Sequence, residues 1–235
     1  MKLSEFFSLL TYGELANLKV GGKDCGGIYP KYADEVTSYI RQGLTDLHSR
    51  FALKHSEVIV QQFEHITLYP LRSDYAVSNT SSTEPYKWIS DTIERPFQDD
   101  IILIESVIDE GGNEIKLNTE NDILSVYSPQ PDVLQIVSPK NENAVAVMYK
   151  ANHTKIDLST DVPSNIEIEI PPQLVRPLAL YVSSLAHTSV GSIEGFQTGA
   201  SKMIEYETAC IQIDLLGLIH KEDWVNENIW RNGWV

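Results

Sequence analysis

The residues best suited to acid–base chemistry are two pairs of carboxylates, Asp99–Asp100 and Glu167 with Glu169. Two carboxylates held side by side can serve as general acid and general base, as they do in glycoside hydrolysis. The first pair directly precedes a predicted strand, however, and the second alternates with isoleucine along the wet face of another strand. We therefore interpret both pairs as solubilising surface groups rather than as a catalytic pair.

A glycine-rich loop follows the first predicted helix and reads Val-Gly-Gly-Lys-Asp-Cys-Gly-Gly from Val20 to Gly27. A phosphate-binding loop needs Ser or Thr after its Gly-Lys pair and then a helix. Here Asp24 follows Lys23, so the motif is broken. The loop is expected not to bind a nucleotide.

The sequence indicates neither a metal site nor an activated nucleophile. Its six histidines are scattered and show no metal-ligand spacing. They are His48, His55, His65, His153, His187 and His220. A Gly-x-Ser-x-Gly elbow, a His-Glu-x-x-His helix, a Cys-x-x-Cys pair and a Walker sequence are all missing. We predict that the protein is not an enzyme and uses no cofactor or metal ion.

Composition excludes several classes of protein. The formal net charge of −15 argues against a protein that grips duplex DNA, because neutralising phosphates requires a basic surface. Two cysteines, Cys25 and Cys210, suit a reducing compartment in which both stay free. No apolar run is long enough to predict a transmembrane helix, and the N-terminus does not read as a signal peptide. We predict a soluble protein made in a cytosol.

Helical and strand patterns occupy separate stretches of the chain. Pro30 begins a helix whose apolar residues recur every three or four positions as far as Phe51. From about residue 56 to 170 the period is two, and the helical period then returns. Because helix and strand segregate, we predict an α+β fold, an antiparallel helical bundle with a β-strand insertion between its second and third long helices. The predicted domains are 1–52 with 171–219 for the bundle, 53–170 for the β insertion and 220–235 for a Trp-rich tail.

The helical hairpin from Pro171 to Ile219 is the richest apolar element, although Pro177 predicts either a kink or a separate short helix near its start. Its second helix carries two apolar stripes at helical spacing. One stripe holds Met203, Tyr206, Cys210 and Ile213, and the other holds Ile204, Ile211, Leu215 and Leu218. Two stripes predict a central helix, with one stripe facing the Pro30–Phe51 helix and the other a neighbouring subunit. The residues predicted to pack in the bundle or between subunits are Leu178, Tyr181, Leu185, Met203, Tyr206 and Ile213.

Residues 220–235 form a tail that holds three of the four tryptophans. A chain terminus is usually loose unless something ties it down, so three large aromatic side chains imply that something does. Two interpretations stay open: the tail folds back onto its own bundle, or it docks on a partner, where Trp and Arg are favoured anchors. The predicted partner contacts are Trp224, Ile229, Trp230, Arg231 and Trp234.

Both ends of the chain resemble one family of proteins. The N-terminal part is the run from Phe6 to Leu18, Phe-Phe-Ser-Leu-Leu-Thr-Tyr-Gly-Glu-Leu-Ala-Asn-Leu, followed by the helix from Tyr29-Pro30 to Arg50-Phe51. The C-terminal part leads from an acidic strand into Ile170-Pro171, then Leu178-Ala-Leu-Tyr181, Gly199-Ala200 and Tyr206-Glu-Thr-Ala209. These stretches resemble the head-to-tail adaptors of short-tailed bacteriophages, the group that includes tail tubular protein A. The β insertion matches them in position only.

The resemblance implies a structural virion protein that forms a ring, typically of twelve copies, between the portal and the tail nozzle. In such adaptors the helical bundles pack side by side, the C-terminal tails reach the portal, and the genome passes through the channel. The resemblance thus implies as partners the portal protein, the nozzle protein and further copies of the chain, with no membrane and no specific DNA binding. It implies a place in the virion neck after synthesis in the host bacterial cytoplasm. The net charge of −15 fits a lumen that repels DNA phosphates.

Two other functions remain as alternatives. A receptor- or glycan-binding tail component would use surface aromatic side chains of the β insertion, such as Tyr75, Tyr86 and Trp88. A cell-wall hydrolase would use one of the carboxylate pairs.

Overall fold

The computed structural model describes residues 1–18, 20, 27–120, 122, 124–159 and 161–219. This part of the chain folds into two compact units. The helical unit comprises Met1–Ala52 together with the described residues from His153 onward, and the β unit comprises Leu53–Asn152. None of the described helices combines the length and the hydropathy that a membrane crossing requires.

Four α-helices make up most of the described helical unit. They are α1 (Leu3–Tyr12), α2 (Pro30–Arg50), α3 (Pro172–Ser189) and α4 (Ile193–Leu215). Both α2 and α3 begin with proline, whose missing N–H costs nothing in the first turn of a helix. The predicted helix from Pro30 is confirmed: α2 ends at Arg50, and Phe51 follows it with extended backbone.

The first residues of the chain connect α1 to the segment that precedes α3. The backbone N–H of Leu3 donates to Ile166 O at 2.9 Å, and that of Ile168 donates to Met1 O at 2.8 Å. The strand predicted at 166–170 is reduced to an isolated bridge between Lys2 and Glu167. The reason is that α1 starts at Leu3 and leaves only two residues to pair with this segment.

The central helix of the unit is α3, which packs against both α2 and α4. Side chains on several of its faces are buried, among them Leu174, Leu180 and Ala186. Pro177 lies inside this helix and is buried as well. Of the two alternatives predicted for Pro177, the separate short helix is wrong, because α3 continues unbroken from Pro172 to Ser189.

Eight strands form two antiparallel sheets in the described part of the β unit. They are β1 (His55–Gln61), β2 (Leu68–Pro70), β3 (Ile89–Ser90), β4 (Ile101–Asp109), β5 (Glu114–Ile115), β6 (Val126–Gln130), β7 (Val133–Ile136) and β8 (Ala144–Ala151). The five-stranded sheet has the order β3-β1-β8-β4-β5, and the three-stranded sheet has the order β2-β7-β6. In β2, Pro70 sits in an edge strand, the place where a residue without an N–H is tolerated.

A hairpin joins β4 to β5. Its turn is held by the Asp109 carboxylate, which accepts hydrogen bonds from the backbone N–H groups of Gly111 and Asn113, both at 2.8 Å. Gly112 has a φ of 78°, in the left-handed region that glycine adopts without steric cost. The local sequence therefore determines this connection by itself.

The two sheets share one hydrophobic core. Alternate residues of the strands enter it, such as Val145 and Val147 of β8. Trp88 is buried in this core, where it stacks on Tyr75 at 3.9 Å between ring centres and donates its indole N–H to Pro70 O at 3.0 Å.

The β unit begins and ends on neighbouring strands. β1 and β8 pair along seven successive positions from His55↔Lys150 to Gln61↔Ala144. Just outside this ladder, the backbone N–H of Ala151 donates to Lys54 O at 2.9 Å. The chain therefore enters and leaves this unit side by side.

The predicted architecture, a helical bundle with a β-strand insertion, is wrong. The described chain is α+β with four helices and eight strands, and the strands form two antiparallel sheets around a core of their own. The alternating pattern locates strands, but the pairing of β1 with β8 joins residues far apart in sequence, and a period of two does not encode which strands pair. The segment 153–170, which the sequence assigns to the insertion, lies in the helical unit.

Candidate subunit interface

The helices α3 and α4 approach each other closely because two glycines of α4 face α3. A Cβ atom at Gly199 would lie 2.7 Å from the backbone oxygen of Ser184 and would collide with the Thr188 hydroxyl. A Cβ atom at Gly195 would lie 2.7 Å from His187 O. The Ser184 hydroxyl uses this proximity to donate a hydrogen bond to Gly199 O at 2.8 Å. The hairpin is thus packed backbone to backbone along one face of α4.

A third glycine brings α2 against α3. A Cβ atom at Gly43 would lie 2.8 Å from Leu178 Cδ1 and 2.9 Å from Tyr181 Cδ1. Real Cβ atoms essentially never come so close to another carbon, so a larger residue would push these side chains away. Gly43 therefore fixes the distance between α2 and the central helix.

A polar network connects the C-terminal part of α2 to α4. The Arg50 guanidinium donates to both Glu207 carboxylate oxygens, at 2.6 and 2.7 Å, and its Nε donates to Asp46 Oδ2 at 2.7 Å. The same guanidinium carbon lies 5.3 Å from the centre of the Tyr206 ring. Bidentate pairing fixes the orientation of both partners, which a single ionic contact does not. The network therefore sets the rotation of α4 about its own axis.

Tyr206 is fully buried beneath this network, and its hydroxyl donates to Asp46 Oδ2. Burial, together with the hydrogen bond to the Asp46 carboxylate, holds the pKa of Tyr206 far above its ordinary value of 10.0. One turn further along, burial raises the pKa of the Cys210 thiol. Both groups stay protonated in the folded protein at neutral pH, so they act as core residues rather than as reactive ones.

The residues predicted to pack within or between subunits divide into two groups. Leu178, Tyr206 and Ile213 are buried inside the helical unit. Tyr181, Leu185 and Met203 are half-buried. Tyr181 packs edge-on against Tyr206, with 5.2 Å between ring centres. This first stripe of α4 therefore lies against the unit's own core, towards α3 and the end of α2.

The second stripe of α4 lies on the opposite side of the helix and is exposed. Ile193 is 80% exposed, Ile204 68% and Leu215 79%. We call this surface the α4 stripe; its members are Ile193, Phe196, Ile204, Ile211, Leu215 and Leu218, all of them exposed. Large apolar side chains scattered singly on a surface need no explanation, but five on one face of α4, with Leu218 just beyond its end, form an exposed apolar surface of the kind that interaction sites have.

Sequence reasoning placed the wrong helix at the centre of the hairpin. Two apolar stripes predicted that α4 is the central helix, with its second stripe facing a neighbouring subunit. Within the described helical unit α3 is the central helix, and the second stripe of α4 is exposed. The predicted stripe also left out Ile193 and Phe196, because the residues from Gly191 to Gly195 read as a break between the two helices. Extending the three- and four-residue spacing back from Ile204 through Ala200 would have found them.

The predicted tail contacts, Trp224, Ile229, Trp230, Arg231 and Trp234, lie outside the described residues. Cys25 and the loop residues 21–26 lie outside them as well. Within the described ranges, no three or more His, Cys, Asp or Glu side chains are grouped so that they could hold a metal ion.

The aromatic residues named for a glycan-binding function do not share one surface. Trp88 is buried and Tyr75 is stacked on it. Tyr86 is 43% exposed and packs instead with His65 and Phe63, at 4.8 and 5.5 Å between ring centres. In the described β unit Tyr86 therefore belongs to an aromatic cluster with His65 and Phe63, not to the set that the sequence suggested.

The chain matches no protein-family model and no curated protein sequence.

We predict that Gly199→Ala destabilises the protein, because the new methyl group would collide with the Thr188 hydroxyl and the Ser184 backbone. The free energy of unfolding should fall by about 1–3 kcal/mol, as overpacking does in other cores. In a solvent-exposed helix, replacing glycine by alanine would instead raise the free energy of unfolding by up to about 1 kcal/mol. The sign of the measured change therefore shows whether the helices are tightly packed at this position. Urea denaturation followed by circular dichroism measures the change. Ser201→Ala, an exposed neighbour on α4, should leave stability nearly unchanged.

We also predict that Tyr206 makes the free energy of unfolding depend on pH in the alkaline range. Above pH 10 the unfolded chain loses the Tyr206 proton while the folded chain keeps it, so the free energy of unfolding falls as pH rises. This group contributes a slope of about 1.4 kcal/mol per pH unit. Tyr206→Phe should show a shallower decline than the wild type in denaturation series between neutral and alkaline pH. Equal slopes for the two proteins would contradict the buried hydrogen bond to Asp46.

Proposed function

We propose that this protein is a ring-forming head-to-tail adaptor of a short-tailed bacteriophage, which joins the portal to the tail nozzle and lets DNA pass through its channel. The α4 stripe is the observation that carries the proposal. In this function it is a subunit interface, and the protein is a structural component of the virion neck. The resemblance of both chain ends to such adaptors supports the same assignment.

Burial of the α4 stripe between subunits would supply a substantial driving force for assembly. Full burial of one large aliphatic or aromatic side chain is worth about 1.5–3 kcal/mol. Five such side chains lie on one face of a helix that the polar network and the glycine contacts hold in a fixed orientation, and Leu218 follows just beyond its end. A rigid, apolar surface of this kind loses little conformational entropy when it binds.

A closed ring needs two different surfaces on each subunit, because every copy contacts one neighbour with each. The helical unit offers exposed apolar side chains on a second helix: Leu9 and Tyr12 of α1 are exposed, on the side away from the buried Phe6 and Leu10. In the ring the α4 stripe of one copy would contact a surface of this kind on the next copy.

The charge of the chain supports a role as a conduit. Duplex DNA carries one negative charge per about 1.7 Å of its length, and a protein with a net charge of −15 repels it. DNA slides more easily through a channel whose wall binds it weakly and without sequence specificity. The partners of this function are the portal protein, the nozzle protein and further copies of the chain.

The first test removes apolar surface from the α4 stripe without touching the core. Ile204→Ser with Ile211→Ser should leave the circular dichroism spectrum close to wild type, since neither side chain enters the core of the helical unit. Mass photometry with the portal of the same phage should show a ring-sized species for the wild type and none for this variant. A control with Ile93→Ser and Leu103→Ser, exposed apolar residues of the β unit, should still form the ring. Undiminished rings from the stripe variant would contradict the proposal.

The second test concerns the tail. Deletion of residues 220–235 should abolish binding to immobilised portal, because the deletion removes Trp224, Trp230 and Trp234, the aromatic anchors proposed to insert into it. Surface plasmon resonance compares the truncated and the complete chain. Unchanged binding after the deletion would assign portal recognition to another surface.

A further inference from the structure

We propose that in the free chain residues 220–235 cover the α4 stripe of the same molecule, and that the portal releases the stripe by taking the tail. The covering contact depends on the end of α4 and on the length and tryptophan content of the tail. The release step rests on the proposed function, in which the tail binds the portal and the stripe binds a neighbouring subunit.

The end of α4 directs the chain away from the helix axis at the end of the stripe. The backbone N–H of Leu218 donates to Ile213 O at 3.2 Å, and that of Gly217 donates to Asp214 O at 3.1 Å. Gly217 has a φ of 59°, in the left-handed region. This pair of hydrogen bonds is the Schellman motif, which stops a helix and turns the chain aside. Leu218, the last member of the stripe, is therefore the point from which the tail departs.

The tail is long enough to return along the whole stripe. It has 16 residues, which span about 50 Å when extended. The helix α4 has 23 residues and is about 35 Å long. An extended chain from Trp224 to Trp234 covers about 34 Å, close to the rise from Leu215 to Ile193 along the helix. The span from the first to the last tail tryptophan is therefore about as long as the part of the stripe that lies on α4.

In dilute solution the tail of the same molecule is favoured over a second copy of the chain as the cover of the α4 stripe. A segment joined directly to the end of α4 acts at an effective concentration of about a millimolar, far above the concentration of free subunits in an assay at or below the micromolar level. The tail and the stripe each have one further partner in the proposed ring, the portal and the neighbouring subunit. A tail held by the portal cannot cover the stripe, so portal binding favours subunit binding and, by the same factor, subunit binding favours portal binding.

Tryptophan fluorescence tests the covering contact directly. The tail holds three tryptophans, and the remaining one, Trp88, is buried in the β unit and serves as a constant background. At a concentration where sedimentation velocity shows monomers, acrylamide should quench the wild type weakly. Ile204→Ser with Ile211→Ser should raise the quenching constant several-fold, whereas the Ile93→Ser with Leu103→Ser control should not. If the first pair unfolds the chain, Phe196→Ser with Leu215→Ser replaces it, because both of these residues are exposed too.

Equal quenching of the wild type and the folded stripe variant overturns the inference, whatever the ring assay shows. Tail protection that appears only when dimers form also overturns it, because a second copy would then be the cover. A full-length chain with Trp224→Ser, Trp230→Ser and Trp234→Ser should form oligomers without portal. If that chain stays monomeric while the stripe variants do expose the tail, the covering contact stands and the stripe's role as the subunit surface is contradicted.

Discussion

The close approach of α3 and α4 at Gly195 and Gly199 is the constraint on which the helical unit depends. Because no side chain separates the two backbones there, α4 lies flat on the central helix and has only one face left inside the unit. That face carries Tyr206 and Cys210 into the core. The apolar residues on the other face have nothing of the described helical unit to cover them, so tight packing on one side leaves an apolar surface exposed on the other.

The polar network at the end of α2 completes this arrangement. Arg50 reaches Glu207 across 157 positions of sequence and holds it with two hydrogen bonds. Glycine contacts alone would fix the separation of the helices but leave α4 free to slide or rotate. A bidentate pair is directional, so it selects one register. An apolar stripe can serve as a specific interface only when its helix is held in this way.

The sequence predicted local features well and long-range ones poorly. The α2 helix and the turn at Asp109 follow from a proline at the first helical position and from a carboxylate that binds its own turn. The central role of α3 did not follow, since periodicity shows how many faces of a helix are apolar but not what covers them. The pairing of Arg50 with Glu207 leaves no trace in composition or spacing. The α4 stripe itself was visible in the sequence, but its exposure could be known only once α3 had been placed.

The β unit begins and ends on paired neighbouring strands, where Ala151 and Lys54 share a backbone hydrogen bond. Two ends that lie side by side impose almost no geometric demand on the chain that carries them. Such a segment can be lengthened, shortened or exchanged for an unrelated one whose two ends also lie side by side. The helical sequence and the inserted sequence can therefore diverge at different rates without disturbing each other's fold.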